Sequence, residues 1–109
     1  MLAAVDAWRL AWANRNVTAY IAAYTADFKG DVANRAAWEE QRRTRIGNAK
    51  SIRLEIKDVR IRTTETDRSR VAFSQSYQSA EFKQDGEKSL FFVKQKGKWL
   101  IEREVFFAK

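Results

Sequence analysis

Cysteine, histidine and proline are all absent from this chain, and glycine occurs only four times in 109 residues. Losing cysteine and histidine together removes disulfide frameworks, thiolate nucleophiles, imidazole bases and the usual zinc and haem ligand sets. No metal and no cofactor is therefore expected. The absence of cysteine leaves the redox compartment open, because such a chain suits cytoplasm and periplasm alike. No apolar run is long enough to cross a bilayer, and the opening MLAAVDAWRL lacks the charged start, apolar core and cleavage site of a signal peptide. The expectation is no membrane insertion. Location stays between the cytoplasm and, if the chain belongs to a longer exported protein, the cell envelope.

What is present is a globular balance, 45% hydrophobic and 32% charged, enough for a single core over residues 1–109 without covalent staples. The net charge of +7 is unevenly placed. Residues 35–62 hold nine basic groups against four acidic ones, a local excess suited to steering an anionic partner. The same charges would equally serve as a solvated helix face followed by a charge-guarded edge strand. Nucleic acid is not expected, since no helix-turn-helix, RNP-like or finger pattern accompanies the charge.

Leu2, Val5, Trp8 and Trp12 recur at helical spacing, and this first helix should end near Asn14. Asn16 is placed to cap a second helix bearing Val17, Tyr20, Ile21, Tyr24 and Phe28 on one stripe. A third should start after Asn34, carry Trp38, Gln41, Arg42, Arg45 and Ile46 along one side, and stop at Gly47. After Lys50 the period falls to two. Ile52, Leu54 and Ile56 alternate with charged residues, then Val59 and Ile61 resume in the opposite phase, which predicts a β-bulge near Lys57 and Asp58. Val71, Phe73, Gln75 and Tyr77 form the next alternation. Asp85-Gly86 reads as a hairpin turn and Lys96-Gly97 as another, with Trp99 to Phe107 closing the sheet. Helices first and hairpin-linked strands after predict an α+β fold: three N-terminal helices packed on a curved antiparallel sheet of about four strands.

The run AWRLAWANRNVTAYIAAYTADF (Ala7 to Phe28), Trp38 with QRRTRI (Gln41 to Ile46), FSQSYQS (Phe73 to Ser79) and KWLIERE (Lys98 to Glu104) together resemble an NTF2-like domain. Within that superfamily they are most similar to the C-terminal accessory domain of some bacterial L,D-transpeptidase-like and cell-shape-determining peptidoglycan enzymes. The resemblance implies a cystatin-like cone whose sheet and helices enclose a pocket. It also implies that any peptidoglycan chemistry belongs to a separate domain with a cysteine nucleophile, which this chain lacks. Small enzymes of the isomerase, dehydratase or hydrolase kind share the superfamily and form the alternative.

Within such a cone, Tyr20 and Tyr24 lie one helical turn apart, and Gln75 and Tyr77 share a strand face. Together with Trp38 they would give a pocket apolar area and a few hydrogen-bonding groups; the competing reading is that they fill the core. Arg42 and Arg45 share the Trp38 side and could grip a carboxylate or phosphate, or else pair with Glu39 or a strand acid. Glu102 and Glu104 fall on one strand two residues apart, so alternation puts them on one face, read as a solvent face. Glu104 matches an acidic position of the resembling family, yet no catalytic residue is assigned. The expected ligand site is Tyr20, Tyr24, Trp38, Arg42, Arg45, Gln75 and Tyr77. The expected partner is a small molecule or an anionic envelope polymer. A homodimer through the sheet is also expected, with Phe91, Val93, Phe106 and Phe107 near its exposed face.

Overall fold

Apolar residues at spacings of three and four put Val5, Trp8, Ala11 and Trp12 on the buried side of helix α1 (Leu2–Ala13). The computed structural model describes residues 1–49, 51–80 and 82–109. Helices α2 (Val17–Ala22) and α3 (Arg35–Gly47) follow, then strands β1 (Arg53–Glu65), β2 (Arg68–Gln78), β3 (Lys83–Gln95) and β4 (Lys98–Ala108). The strands form one antiparallel sheet in the order β1-β2-β3-β4, curved beneath the helices. This is the expected α+β architecture.

Asn16 and Asn34 both cap as their positions suggested: each side chain accepts a hydrogen bond from the backbone N–H three residues on, at 3.2 and 2.8 Å. α3 has no acidic residue in its first turn to assist, so its start leans on Asn34. Asn34→Ala is expected to lower stability by about 1 kcal/mol and Asn34→Gly by only a few tenths. Urea denaturation of the two variants checks this, and equal losses would mean that the side-chain oxygen contributes nothing.

α2 is shorter than its apolar stripe suggests. It ends at Ala22 because the chain peels away to pair with the outer edge of β4: Ile101 N–H donates to Ala23 O at 2.8 Å and Thr25 N–H to Ile101 O at 2.9 Å. Arg35 fastens this departing segment to α3. Its guanidinium donates to the carbonyls of Thr25, Phe28 and Ile21, pairs with Glu39 at 2.9 Å and lies over the Trp38 ring.

The sheet's register slips at three places, between Lys57 and Arg60 and between Thr63 and Glu65 in β1 and beside Glu102 in β4, and such bulges bend the strands that carry them. In β1 the register slips between Lys57 and Arg60, with Asp58 at φ 55°, where the change of phase in the sequence predicted a bulge. In β4 Arg103 faces Phe91 while Ile101 faces Phe92, so Glu102 is the extra residue. The Lys96-Gly97 turn forms as expected, with both residues at positive φ. The Asp85-Gly86 turn does not. Gly86 sits inside β3, paired with Gln75 on one side and Ala108 on the other, and the chain reverses between Gln78 and Lys83 instead. A glycine is needed there for proximity: a Cβ at position 86 would stand 2.3 Å from Phe107 O.

The core is aromatic. Trp8, Tyr20, Trp38 and Phe73 are almost wholly buried, joined by Val71, Leu90, Phe92 and Ile101 from the sheet. Trp8 packs on Trp12, Tyr20 and Phe73, and Tyr24 packs edge-on against Trp38 at 4.8 Å. Val93 joins the buried residues instead of the exposed sheet face anticipated for it.

Candidate ligand cavity

Period two places Lys88 inward, in phase with Leu90 and Phe92 of β3. Glu104, directly across from Leu90, points the same way from β4. Their side chains meet at 3.0 Å, only 6% and 15% exposed. The bulge is the reason. With Glu102 inserted, Ile101 and Glu104 both face inward although they are three residues apart, and Glu102 turns outward beside Arg68. The two glutamates therefore do not share a face, and Glu104 is not on the solvent side.

Glu104 uses both oxygens. Oε2 accepts from Lys88 Nζ, and Oε1 lies 2.5 Å from Tyr24 Oη. Tyr24 Oη also stands 2.9 Å from Tyr20 Oη and 3.0 Å from Trp8 Nε1. A phenol has one proton, and an ionised carboxylate can only accept. Tyr24 thus donates to Glu104 and receives hydrogen bonds from Tyr20 and Trp8, so all four groups are satisfied by one another. Burial, reinforced by the nearby Glu104 charge, raises the pKa of both tyrosines far above the ordinary phenol value. For Glu104, burial pushes upward, but the Lys88 ammonium, the Tyr24 hydrogen bond and the Arg42 charge outweigh it and hold the carboxyl below its usual range. Burial likewise lowers Lys88, and the attraction of Glu104 does not restore it fully. Lys88 is also held by aromatic faces, at 4.9 Å from the Trp12 ring and 5.6 Å from Phe106.

This cluster forms one wall of a cavity of about 640 Å³. Arg42, Arg45 and Lys88 supply positive charge to its lining, and Glu104 is the one acid there among the described residues. Gln75, Gln84 and Asn48 bring three carboxamides, and Trp12, Tyr77, Phe82 and Phe106 bring the aromatic surface. Trp12 and Tyr77 stack at 5.0 Å, and Phe82 stands beyond Tyr77, half exposed at the rim. Arg42 Nε and Gln75 Oε1 are buried with no hydrogen-bond partner among the described residues. On the far side of Arg42 and Glu104 lies a second depression of about 560 Å³, formed with Asp27, Lys29, Asp31, Glu102 and Arg103.

Of the residues singled out from the sequence, Arg42, Arg45, Gln75 and Tyr77 line the cavity. Tyr20, Tyr24 and Trp38 are buried behind it, the two tyrosines reaching it only through Glu104. Lys88 was missed, and Glu104, singled out only as matching an acidic position of the resembling family, was read as solvent-facing. Alternation with Leu90 and Phe92 was a sufficient signal for Lys88. For Glu104 the sequence carries no sufficient signal: Ile101 and Phe106 are five positions apart, but Phe107 fits the opposite phase, so the one-residue slip shows only in the sheet register.

A helical layer over a strongly bent antiparallel sheet, with a cavity between them, defines an NTF2-like fold. The chain belongs to the family of the Cds6 C-terminal NTF2-like domain, whose model matches residues 1–105. No curated protein matches the sequence. Among solved structures, Bd1075 of Bdellovibrio bacteriovorus is similar at 24% identity over 96% of this chain and 38% of its own, with a TM-score of 0.86. A point variant of the helical cell shape determining protein Pgp2 of Campylobacter jejuni is 20% identical over 95% of this chain and 38% of its own, with a TM-score of 0.83. An NTF2-like protein of unknown function from Pseudomonas putida aligns over 97% of this chain and 82% of its own, at 15% identity and a TM-score of 0.80. The chain thus spans well under half the length of Bd1075 and Pgp2, and these likenesses establish the fold.

Proposed function

We propose that this domain is a non-catalytic binding module that takes a small anionic ligand in the cone cavity and serves as an accessory domain of a bacterial cell-envelope protein. The observation that carries the reading is the division of labour among the charges. Glu104 has both oxygens engaged by Tyr24 and Lys88, while Arg42 keeps a buried Nε donor with no partner among the described residues. A general acid or base works best with a pKa near the operating pH and a free path to the substrate proton. Glu104 lines the cavity, but its carboxyl is held below the usual range and both of its oxygens are already engaged in hydrogen bonds. Arginine, by contrast, is suited to gripping a planar anion. The accessory role is supported by family membership and by the match to 38% of a helical cell shape determining protein.

The test is an NMR titration with paired fragments, each carboxylate beside its neutral amide. The carboxylates are expected to shift the signals of Gln75, Tyr77 and Arg42 and the neutral partners much less. Equal shifts within each pair, or chemical conversion of any fragment, would overturn the reading.

A further inference from the structure

The unsatisfied groups in the cavity describe more than an anion. Neither Arg42 nor Gln75 makes a side-chain hydrogen bond among the described residues, and Gln75 is only 4% exposed. A buried carboxamide without a partner costs stability that an incoming group can recover. Either end of a carboxamide can be matched by another amide, which offers both an N–H donor and a C=O acceptor. Gln84 and Asn48 extend the same chemistry along the lining. The third feature is the aromatic wall running from buried Trp12 through Tyr77 to Phe82, which is 53% exposed. Phe82 thus extends the aromatic wall to the lip of the cavity and leaves exposed apolar surface there for a ligand's side group to cover.

We propose that the ligand is an acylated α-amino acid end, either a free N-acyl amino acid or the C-terminus of a peptide. Its carboxylate lies on Arg42, its amide on Gln75 and its apolar side group against Tyr77 and Phe82. This deepens the reading of the cavity as an anion site and rests on it. One such molecule carries both a carboxylate and an amide, and Arg42 and Gln75 line the same cavity. The cavity volume lies within the ~300–1,000 Å³ of small-ligand sites.

Three probes separate the contributions: N-acetylphenylalanine, its methyl ester, and 3-phenylpropanoate, which keeps the ring and carboxylate but lacks the amide. Binding is followed by NMR shifts at Gln75 and Tyr77. N-acetylphenylalanine is expected to bind at least tenfold more tightly than the ester and several-fold more tightly than 3-phenylpropanoate, since ~1.4 kcal/mol is a factor of ten. Arg42→Gln should abolish the preference for acid over ester, and Gln75→Leu the preference for amide over phenylpropanoate. The preferences of the unaltered protein decide the matter even if a variant misfolds. Binding of all three probes with one affinity overturns the amino-acid assignment. If only the two carboxylates bind, and equally, the assignment fails while the anion reading survives. If none binds, the assignment fails, and the paired fragments above decide the anion reading separately. A tetrapeptide ending in phenylalanine distinguishes the two sources: tighter binding than N-acetylphenylalanine indicates a peptide terminus, and exclusion indicates the free acyl amino acid.

Discussion

Replacing Glu104 by leucine is expected to cost about 3–5 kcal/mol, the loss that follows when one partner of a buried ion pair is removed and the other stays behind. Lys88 would remain among Trp8, Trp12 and Phe106 with no other ion-pair partner among the described residues, and Tyr24 would lose its acceptor. The double variant Glu104→Leu/Lys88→Met should recover most of that loss, because apolar replacement of both members of a buried pair is often neutral. Urea unfolding of the three proteins checks this; a double variant as unstable as the single one would show that the pair is not the source. The sign of the pH dependence follows from the same contacts. The folded carboxyl holds its proton less tightly than the unfolded one, so the unfolded state carries more protons between the two pKa values. Its stabilising contribution is then present above the unfolded value, about 4.3, and is lost as pH falls through the folded value. Lys88 acts at the other end: its folded pKa is depressed, so stability rises as pH climbs from that value toward the ordinary lysine range. Both limbs should flatten in the double variant.

Gly86→Ala is expected to lower stability by about 3 kcal/mol, at the upper end of the range for overpacking. The added Cβ would stand 2.3 Å from Phe107 O, 2.6 Å from Phe106 Cζ and 3.0 Å from Ala108 Cα. Phe106 can swing aside, but two of these three atoms belong to the β4 backbone, so the strand itself must move. Lys109 N–H donates to Asp85 O at this end of the ladder, and that bond should be weakened, visible as faster amide exchange at Lys109. Gly47→Ala is the control. It lies at the end of α3 with nothing within 4 Å of its would-be Cβ, and should stabilise by up to ~1 kcal/mol. A Gly86→Ala protein as stable as the parent would mean that the β3–β4 spacing relaxes freely.

The helices and the general course of the strands were legible because the hydrophobic period changes from 3.6 to 2 near residue 50. Asn16 and Asn34 announced their caps, and the phase reversal at Lys57 and Asp58 announced a bulge. Gly86 misled because a glycine after an aspartate carries the signature of a turn, while its actual role is a close approach by a strand twenty residues further on. α2 looked longer because Tyr24 and Phe28 continue the apolar stripe; Tyr24 is buried at a bridge to β4, and Phe28 is partly buried against Trp38 after a turn. Arg42, Arg45, Gln75 and Tyr77 were legible as cavity residues from their spacing taken together with the cone that the family resemblance implies. Glu104 was not, because one inserted residue reverses the parity of everything after it, and the aromatics Phe106 and Phe107 fit either phase.

That inserted residue has a consequence for how the fold can be altered. If Glu102 were deleted, β4 would regain strict alternation with Ile101, Glu104 and Phe106 still directed inward. The inward-facing residues of β4 would be unchanged, while the strand would lose a source of bend and twist. The Asp58 bulge lies on the opposite edge strand. One-residue changes at bulges on the edge strands can thus alter the bend of the sheet without changing which side chains face in. Homologous domains could widen or narrow the cone by single-residue insertions and deletions while keeping the same groups facing in.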